Sequence, residues 1–493
     1  MKSDQIVSIY QNLKIYLFLS TILFVASCSE SKEANIKQPN IIIIHVDDLG
    51  WADLSVQGST FYETPHIDGL ASNGVRFTDA YASASVCSPT RAALMTGRYP
   101  ARVGITDWIR AEFQGGIVPE DGQNPSGYAG GANQPLLTPR NPLWMEHEEI
   151  TIADILKEAG YKNVHIGKWH LGGENWYPET QGFHMNIGGA DLGEPPSFFD
   201  PYYSNTVGYI PTLEPRDEGE YLTDREAWEA VNFIEQYHGR PFFMHFANYA
   251  VHTPIQAKEE LIERYENKPP TFQDNPVYAG MVHSVDEAVG AIIQKLKELD
   301  IYENTFIIFT SDNGGLDRQD ATTNDPFRSG KGYPYEGGIR VPFIASWPGV
   351  IEPARVSYEP VKSIDVLPTV LDVAGVSLPD DLIIDGVSLL GHLLSGGEES
   401  LDRDGLVWHF PHYRQGRNVT PYSIIRSGHW KLIKWWEGPE FELYDLVEDI
   451  SETTNMAGIH PEITEELNIR LMEILEKIGS KLPKPNPDYV GIN

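Results

Sequence analysis

The sequence predicts an α/β protein with a large, mostly parallel sheet and helices on both faces, followed by a smaller C-terminal domain of antiparallel sheet and helix. Two observations carry this. Continuous apolar runs, NIIIIHV from Asn40 and NTFIIFT from Asn304, break into carboxylates and glycine, as buried parallel strands do where they end in loops. Amphipathic segments alternate with such runs up to about residue 397, and beyond it short strand-like stretches follow one another across tight turns.

In chain order, Lys2 and Lys14 precede the apolar run Ile15–Ala26, which is too short to span a bilayer as a helix and has the length of a signal-peptide core. The run leads to Val25-Ala-Ser-Cys28, which resembles a bacterial lipoprotein box with Val25 where leucine is usual. Residues 1–27 are therefore expected to be a signal peptide, Cys28 to carry lipid and 28–39 to form a tether. That predicts an exported bacterial lipoprotein, anchored in the periplasm or at the cell surface. The main domain is expected over 40–397.

Asn40–Gly50 is the first buried strand, with Asp47 and Asp48 at its carboxyl end, where open α/β sheets gather their function. In CSPTRAALMTGR, Pro89 suits a first helical turn, which places Cys87 at or just before a helix N-terminus and Arg91 one turn further along the same face. Residues 111–148, rich in Gly, Pro and Asn, read as a long excursion near the site. Thr151 caps the helix of TIADILKEAGY, which stops at Gly160 and leads into the strand NVHIG. Thr223 and Glu226 have capping-box spacing on the helix that feeds the strand PFFMHFANY. Tyr278–Leu299 is a long amphipathic helix, and the strand after it ends at Asp312 and Asn313. The C-terminal domain, 398–493, has strands in GLVWHF, YSIIRSGHWKLIKWW and FELYDL and a closing helix in PEITEELNIRLMEILEKIG.

Composition narrows the partners. With 37 Lys+Arg against 70 Asp+Glu, the formal charge of −33 repels nucleic acid and argues against DNA or RNA as a ligand. Only two cysteines occur in 493 residues. With Cys28 assigned to lipid, Cys87 has no disulfide partner. A lone thiol in an oxidising compartment is a liability unless it is buried or is converted to something else.

Asp47, Asp48, Asp312 and Asn313 are hard oxygen donors from two strand ends, a set suited to Ca²⁺ or Mg²⁺, because converging carboxylates without a cation repel. Around them the chain resembles a known family. Cys87-Ser-Pro-Thr-Arg91 with Thr96-Gly97-Arg98 is similar to the signature of the type I sulfatases. GYKNVHIGKWHLG, carrying Lys168 and His170, resembles their second signature, with Asn163 where threonine is usual. VDDLGW, HTP at His252, SDNGG at Asp312 and GKGYPYEGGIRVPFIASWPG at Lys331 stand in family order over roughly residues 39–480.

The resemblance implies an alkaline phosphatase-like fold and hydrolysis of sulfate esters, with a sulfated polysaccharide or oligosaccharide as substrate. It implies that Cys87 is oxidised to formylglycine (3-oxoalanine) by a formylglycine-generating or anaerobic sulfatase-maturating enzyme. One Ca²⁺ would be held by Asp47, Asp48, residue 87, Asp312 and Asn313. Related phosphodiesterases carry Asp-His where this chain has Asp312-Asn313, and asparagine is a poor zinc ligand, so a single calcium is favoured, with magnesium left open. By the same resemblance the hydrated aldehyde attacks sulfur with Asp312 as proton acceptor, and His252, helped by Lys331, protonates the leaving oxygen. His170 takes the proton that releases sulfate, while Arg91, Lys168 and Lys331 supply fixed positive charge.

Substrate choice is less legible. Lys331, His252, Trp108, Arg110, His409, His412 and Arg414 are candidate substrate-binding residues, since aromatic and cationic groups suit sugar faces and anionic substituents. His45, His66, His165 and His283 are expected to be structural. Algal polysaccharides such as ulvan or carrageenan are favoured, with glycosaminoglycans as the other fit. The alternatives are a formylglycine-dependent phosphonate or phosphate ester hydrolase and a catalytically dead surface glycan-binding lipoprotein. The latter requires a broken catalytic set, and this one is intact.

Overall fold

Successive side chains of a strand leave on opposite faces of the sheet, and here that alternation builds two cores. In the computed structural model, which describes residues 38–317, 321–414 and 416–491, the first strand is Asn40–Val46. Ile42, Ile44 and Val46 enter one core with residues of the helices Leu222–Tyr237 and Pro276–Glu298. Ile41 and Ile43 enter the other, with residues of Cys87–Thr96, Ile152–Glu158 and Val366–Ala374. All five are fully buried, each contributing about 1.5–3 kcal/mol relative to exposure. Burial on both faces is why the run is continuously apolar rather than alternating.

The main sheet has eight strands in the order Arg355–Ser357, Gly74–Phe77, Phe343–Ser346, Thr305–Ser311, Asn40–Val46, Phe242–Ala247, Lys162–Gly167, Met185–Ile187. Phe343–Ser346 runs antiparallel to both its neighbours and every other pairing is parallel. The mostly parallel sheet and its two helical layers are thus as expected. Cys28 and the predicted signal peptide and tether, through residue 37, lie outside the described residues.

Local signals met mixed outcomes. Thr151 caps Ile152–Glu158, its hydroxyl accepting from the Asp154 amide, and Gly160 follows at φ +89°, a left-handed turn that ends the helix. The box at Thr223 and Glu226 does not form, because the helix starts two residues earlier than that cap requires, at Leu222, with Tyr221 as its N-cap. Glu226 is instead buried and accepts from Asn248 Nδ2 (3.0 Å) and the Tyr249 amide (3.3 Å). The 111–148 excursion contains a short turn at Glu112–Gln114, and its strand Leu136–Pro139 pairs with Lys484–Pro485 near the other end of the chain.

The second sheet is antiparallel: Leu406–Phe410, Tyr422–Ser427, Trp430–Trp435, Phe441–Asp445. Val407, Ile425, Leu432 and Leu443 pack with Leu467, Leu471 and Leu475 of the closing helix Pro461–Lys477. Leu406, Trp408, Phe410 and Ile424 share a core with Tyr81, Ala84 and Val86, the residues leading into Cys87. The texture change at residue 397 therefore separates two sheets inside one compact unit that begins at Gln38.

Candidate active site

Val46 lies opposite Ser311 in the parallel register, so the residues that follow each strand, Asp47-Asp48 and Asp312-Asn313, emerge side by side. Asp48 leaves its strand at φ +61° and His170 sits at φ +59°. Such left-handed backbone in non-glycine residues costs about 1–3 kcal/mol and persists where the surroundings enforce it.

Each buried carboxylate has its own cation. Lys168 Nζ donates to Asp47 Oδ2 at 2.6 Å, Arg91 Nε to Asp312 Oδ2 at 2.8 Å, and Lys331 Nζ reaches Asp48 Oδ1 and Oδ2 at 2.6 and 2.8 Å. Against the penalty of burial, Arg91 and then Lys168 hold Asp312 well below the usual carboxylate range, and Lys331 and His252 lower Asp48. Asp47 is pushed up, by burial and then by the Asp312 charge.

The donors fit a hard divalent cation. Ligating atoms of Asp47, Asp48, Cys87 and His252 lie within 4.8 Å of one another. Asn313 Nδ2 donates to Asp48 Oδ1 at 2.7 Å, which leaves Asn313 Oδ1 buried without a partner among the described residues, an oxygen for which a cation is the natural complement.

Cys87 is the first residue of its helix, after Val86 in extended conformation. Its Sγ is 3.7 Å from Asp47 Oδ1. Burial pushes the thiol up to about 12 despite Lys168 and Lys331, so at neutral pH it is not a thiolate.

The two histidines are oriented by carbonyls. His170 Nε2 donates to Ile109 O at 2.7 Å, which makes Nδ1 the acceptor nitrogen, and that atom is buried without a partner among the described residues. Burial, then Lys168, lowers its proton affinity well below that of a free imidazole. His252 Nδ1 is 3.0 Å from Thr253 O, so Nε2 is the nitrogen that faces Asp48 Oδ2, at 3.5 Å. Burial and then Lys331 lower its pKa to about 3.

Cys87, His170, His252 and Lys331 form the floor of a cleft of about 490 Å³ walled by Trp108, Arg110, Arg414 and other loop residues. The Arg110 guanidinium lies over the Trp108 ring, 4.6 Å from its centroid. His409 and His412 do not line the cleft. Alternation along Leu406–Phe410 turns His409 toward the closing-helix side, where its ring contacts Ser423 Oγ (2.8 Å) and Lys481 O (3.2 Å). His412 is buried 2.8 Å from Thr106 Oγ1. Sequence reasoning missed Asp107, Gln114, Glu194, Tyr413 and Arg417 on the cleft wall. The only signal for Arg417 was its place three residues after Arg414.

His45 and His165, expected to be structural, join a third histidine, His245, in a buried row across adjacent strands. His165 Nε2 donates to Gly167 O at 3.0 Å, so its Nδ1 accepts from His245 Nδ1 at 3.0 Å, and His245 Nε2 accepts from His45 Nδ1 at 3.3 Å. His283 Nδ1 lies 2.9 Å from the Tyr265 hydroxyl, away from the cleft wall. His66 likewise lies off the cleft, its ring against Gly290.

A donor set for a hard cation, three fixed positive charges and a helix N-terminus, meeting at the carboxyl edge of a parallel sheet, define a hydrolase site for an anionic ester. The comparisons with known proteins agree. The Sulfatase family model matches residues 39–376, and the model for the C-terminal part of N-sulphoglucosamine sulphohydrolase matches 329–480. N-acetylgalactosamine-6-sulfatase of Mus musculus is 31% identical over 449 residues, covering 87% of this chain and 78% of its own. A sulfatase of Formosa agariphila is 32% identical over 522 residues, covering 91% and 90%. The crystal structure of Ps i-CgsB in complex with k-i-k-neocarrahexaose superposes with a TM-score of 0.73 at 30% identity, covering 90% of this chain and 92% of that one. The chain belongs to the sulfatase family and is a sulfuric ester hydrolase with the alkaline phosphatase-like fold.

Proposed function

We propose that this enzyme is a carbohydrate sulfatase that works through formylglycine at position 87 and one calcium ion on a sulfated polysaccharide or its oligosaccharides. The observation that carries the reading is the buried meeting of Cys87 with Asp47, Asp48, Asp312 and Asn313, at a thiol whose own chemistry is suppressed. A neocarrahexaose in the Ps i-CgsB structure and the N-acetylgalactosamine-6-sulfatase relatives support a sugar sulfate. Algal galactans such as carrageenan are favoured, with ulvan and glycosaminoglycans as further members of the panel.

Asp47, Asp48, Asp312, Asn313 and residue 87 would hold the ion, which when bound supplies Lewis-acid charge, while formylglycine supplies a hydrated aldehyde hydroxyl as the attacking group. The protein's own residues do the rest. Three carboxylates face three cations, so the bare site is near neutral and a divalent ion leaves it cationic, matched to an anionic ester. Lys168, Lys331 and Arg91 place fixed charge at the sulfate end without reorganisation. His252 Nε2 delivers a proton to the leaving oxygen, and a bound anion beside it raises its proton affinity. His170 Nδ1, held free by the Ile109 carbonyl, accepts the proton whose removal releases sulfate.

Export as a lipoprotein through Cys28, after maturation by a formylglycine-generating or anaerobic sulfatase-maturating enzyme, belongs to the same proposal; it rests on the sequence of residues 1–39. Mass spectrometry of the peptide spanning residue 87 in active enzyme is expected to find an aldehyde, and unmodified Cys87 in fully active protein overturns the mechanism. Free sulfate released from carrageenan, ulvan and glycosaminoglycan oligosaccharides ranks the substrates. A higher rate on matched phosphate esters favours the phosphoesterase alternative.

A further inference from the structure

The cleft wall carries more positive charge than the reaction needs. Among the described residues, Lys331, Arg110, Arg414 and Arg417 line it against Asp107 and Glu194, in a chain whose formal charge is −33. Arg110 is engaged by Asp107 at 3.5 Å and by the Trp108 ring, and Lys331 by Asp48. Arg414 and Arg417 are different. The Arg417 side chain is 7% exposed, its NH1 donates to Asp317 Oδ1 at 2.7 Å and its guanidinium lies 5.1 Å from the centre of the Tyr333 ring, yet Nε and NH2 are buried without a hydrogen-bond partner among the described residues. Arg414 NH1 is also buried without a hydrogen-bond partner among the described residues. Buried guanidinium N–H groups without a partner among the described residues are costly, and three such nitrogens on one cleft wall suit an anionic ligand.

Their placement is specific. A Cβ on Gly332 would lie 2.4 Å from Arg414 Nε, so glycine at this position, with φ +89°, lets the Arg414 guanidinium pass directly beside Lys331. The Arg417 amide donates to Arg414 O at 3.3 Å, and Arg414 bridges to Val419, which fixes both arginines on one tight turn.

We infer that Arg414 and Arg417 form a clamp for a second anionic group of the substrate, a sulfate or a carboxylate beside the sulfate that is hydrolysed. The clamp rests on the carbohydrate reading above and narrows it to sugars that carry two anions. Guanidinium forks bind sulfate and carboxylate through paired N–H donors, and the free nitrogens of both residues supply such donors.

Three disaccharides test the clamp: one with a single sulfate, one with a second sulfate on the neighbouring sugar, and one with a uronate there. Binding is measured by calorimetry to full-length Cys87→Ala protein, so the result does not depend on turnover. The disulfated or the uronate compound should bind at least tenfold more tightly than the monosulfate, and whichever does so identifies the anion. Adding Arg417→Gln should reduce that preference by about tenfold to a hundredfold, the worth of charge-assisted hydrogen bonds. Adding Gly332→Ala, which crowds Arg414, should reduce it in the same direction. Equal affinities for all three compounds, or a preference unchanged by Arg417→Gln, overturn the clamp. Failure of wild-type enzyme to release sulfate from any of the three, with the binding preference intact, would overturn the carbohydrate-sulfatase reading and leave the clamp standing.

Discussion

Replacing Arg91 with methionine removes the guanidinium 2.8 Å from Asp312, in a pair of which neither side chain is more than 1% exposed. The Asp48 amide, 3.2 Å from Asp312 Oδ1, stays in place but cannot neutralise the charge. An unpaired buried carboxylate costs about 3–5 kcal/mol. The Lys168 carbonyl also loses the 2.6 Å hydrogen bond from Arg91 NH1, a further cost of about 1–3 kcal/mol. The two losses share one side chain and overlap, so the expected total is about 4–6 kcal/mol. Against a total stability of about 5–15 kcal/mol, that should be visible as a large fall in the midpoint of guanidinium unfolding followed by tryptophan fluorescence. The double variant Arg91→Met/Asp312→Asn leaves no unpaired charge and should recover at least about 1 kcal/mol relative to Arg91→Met alone. A single-variant loss below about 1 kcal/mol, or a double variant less stable than the single, would refute the claim that this ion pair holds the site together.

Burial raises Glu226 from 4.5 to about 8, more than its hydrogen bonds to Asn248 and Tyr249 lower it. Between those values the native state keeps a proton that the unfolded chain has released. Stability therefore falls as pH rises through that window, by up to about 1.4 kcal/mol per unit. Glu226→Gln should remove this slope, so the variant's Tm relative to wild type should climb across the window; a flat difference would contradict the assignment. A Cβ on Gly193 would stand 2.9 Å from His170 Cε1, so Gly193→Ala should displace the ring and lower kcat at least about tenfold with little change in KM. Chelation of divalent ions should lower Tm, by about 2.7 kcal/mol of stability for an ion present at a hundred times its Kd. The shift should shrink in Asn313→Ala, and an unchanged wild-type Tm on chelation would count against a metal in this cluster.

Much of this was legible in the sequence because the signals are local. The strand at Asn40–Val46 and its terminal aspartates follow from a run of apolar residues meeting two carboxylates. Cys87 falls at the first residue of its helix because Pro89 is compatible with a first turn and little else. Thr151 needed only its neighbour Asp154 to act as a cap. Thr223 and Glu226 had the same kind of spacing and failed, because the helix starts at Leu222 and the Glu226 carboxylate is taken up by Asn248 and Tyr249, beyond the end of its helix.

His409 was misread for a related reason. Sequence marks it as a strand residue but not which face of the strand meets the cleft, and one step of alternation sends it to the opposite side, against the segment that follows the closing helix. A net charge of −33 repels polyanions on average, yet net charge is a sum, whereas binding depends on where the charges lie. Sequence alone determined the reaction class, because a sulfate-ester site is built from short motifs whose residues sit at strand ends and a helix start. Tertiary structure decided which donors stay free in the cleft, because the loop that carries Arg414 and Arg417 meets Lys331 and Trp108, which come from two other loops, only once the sheets pack.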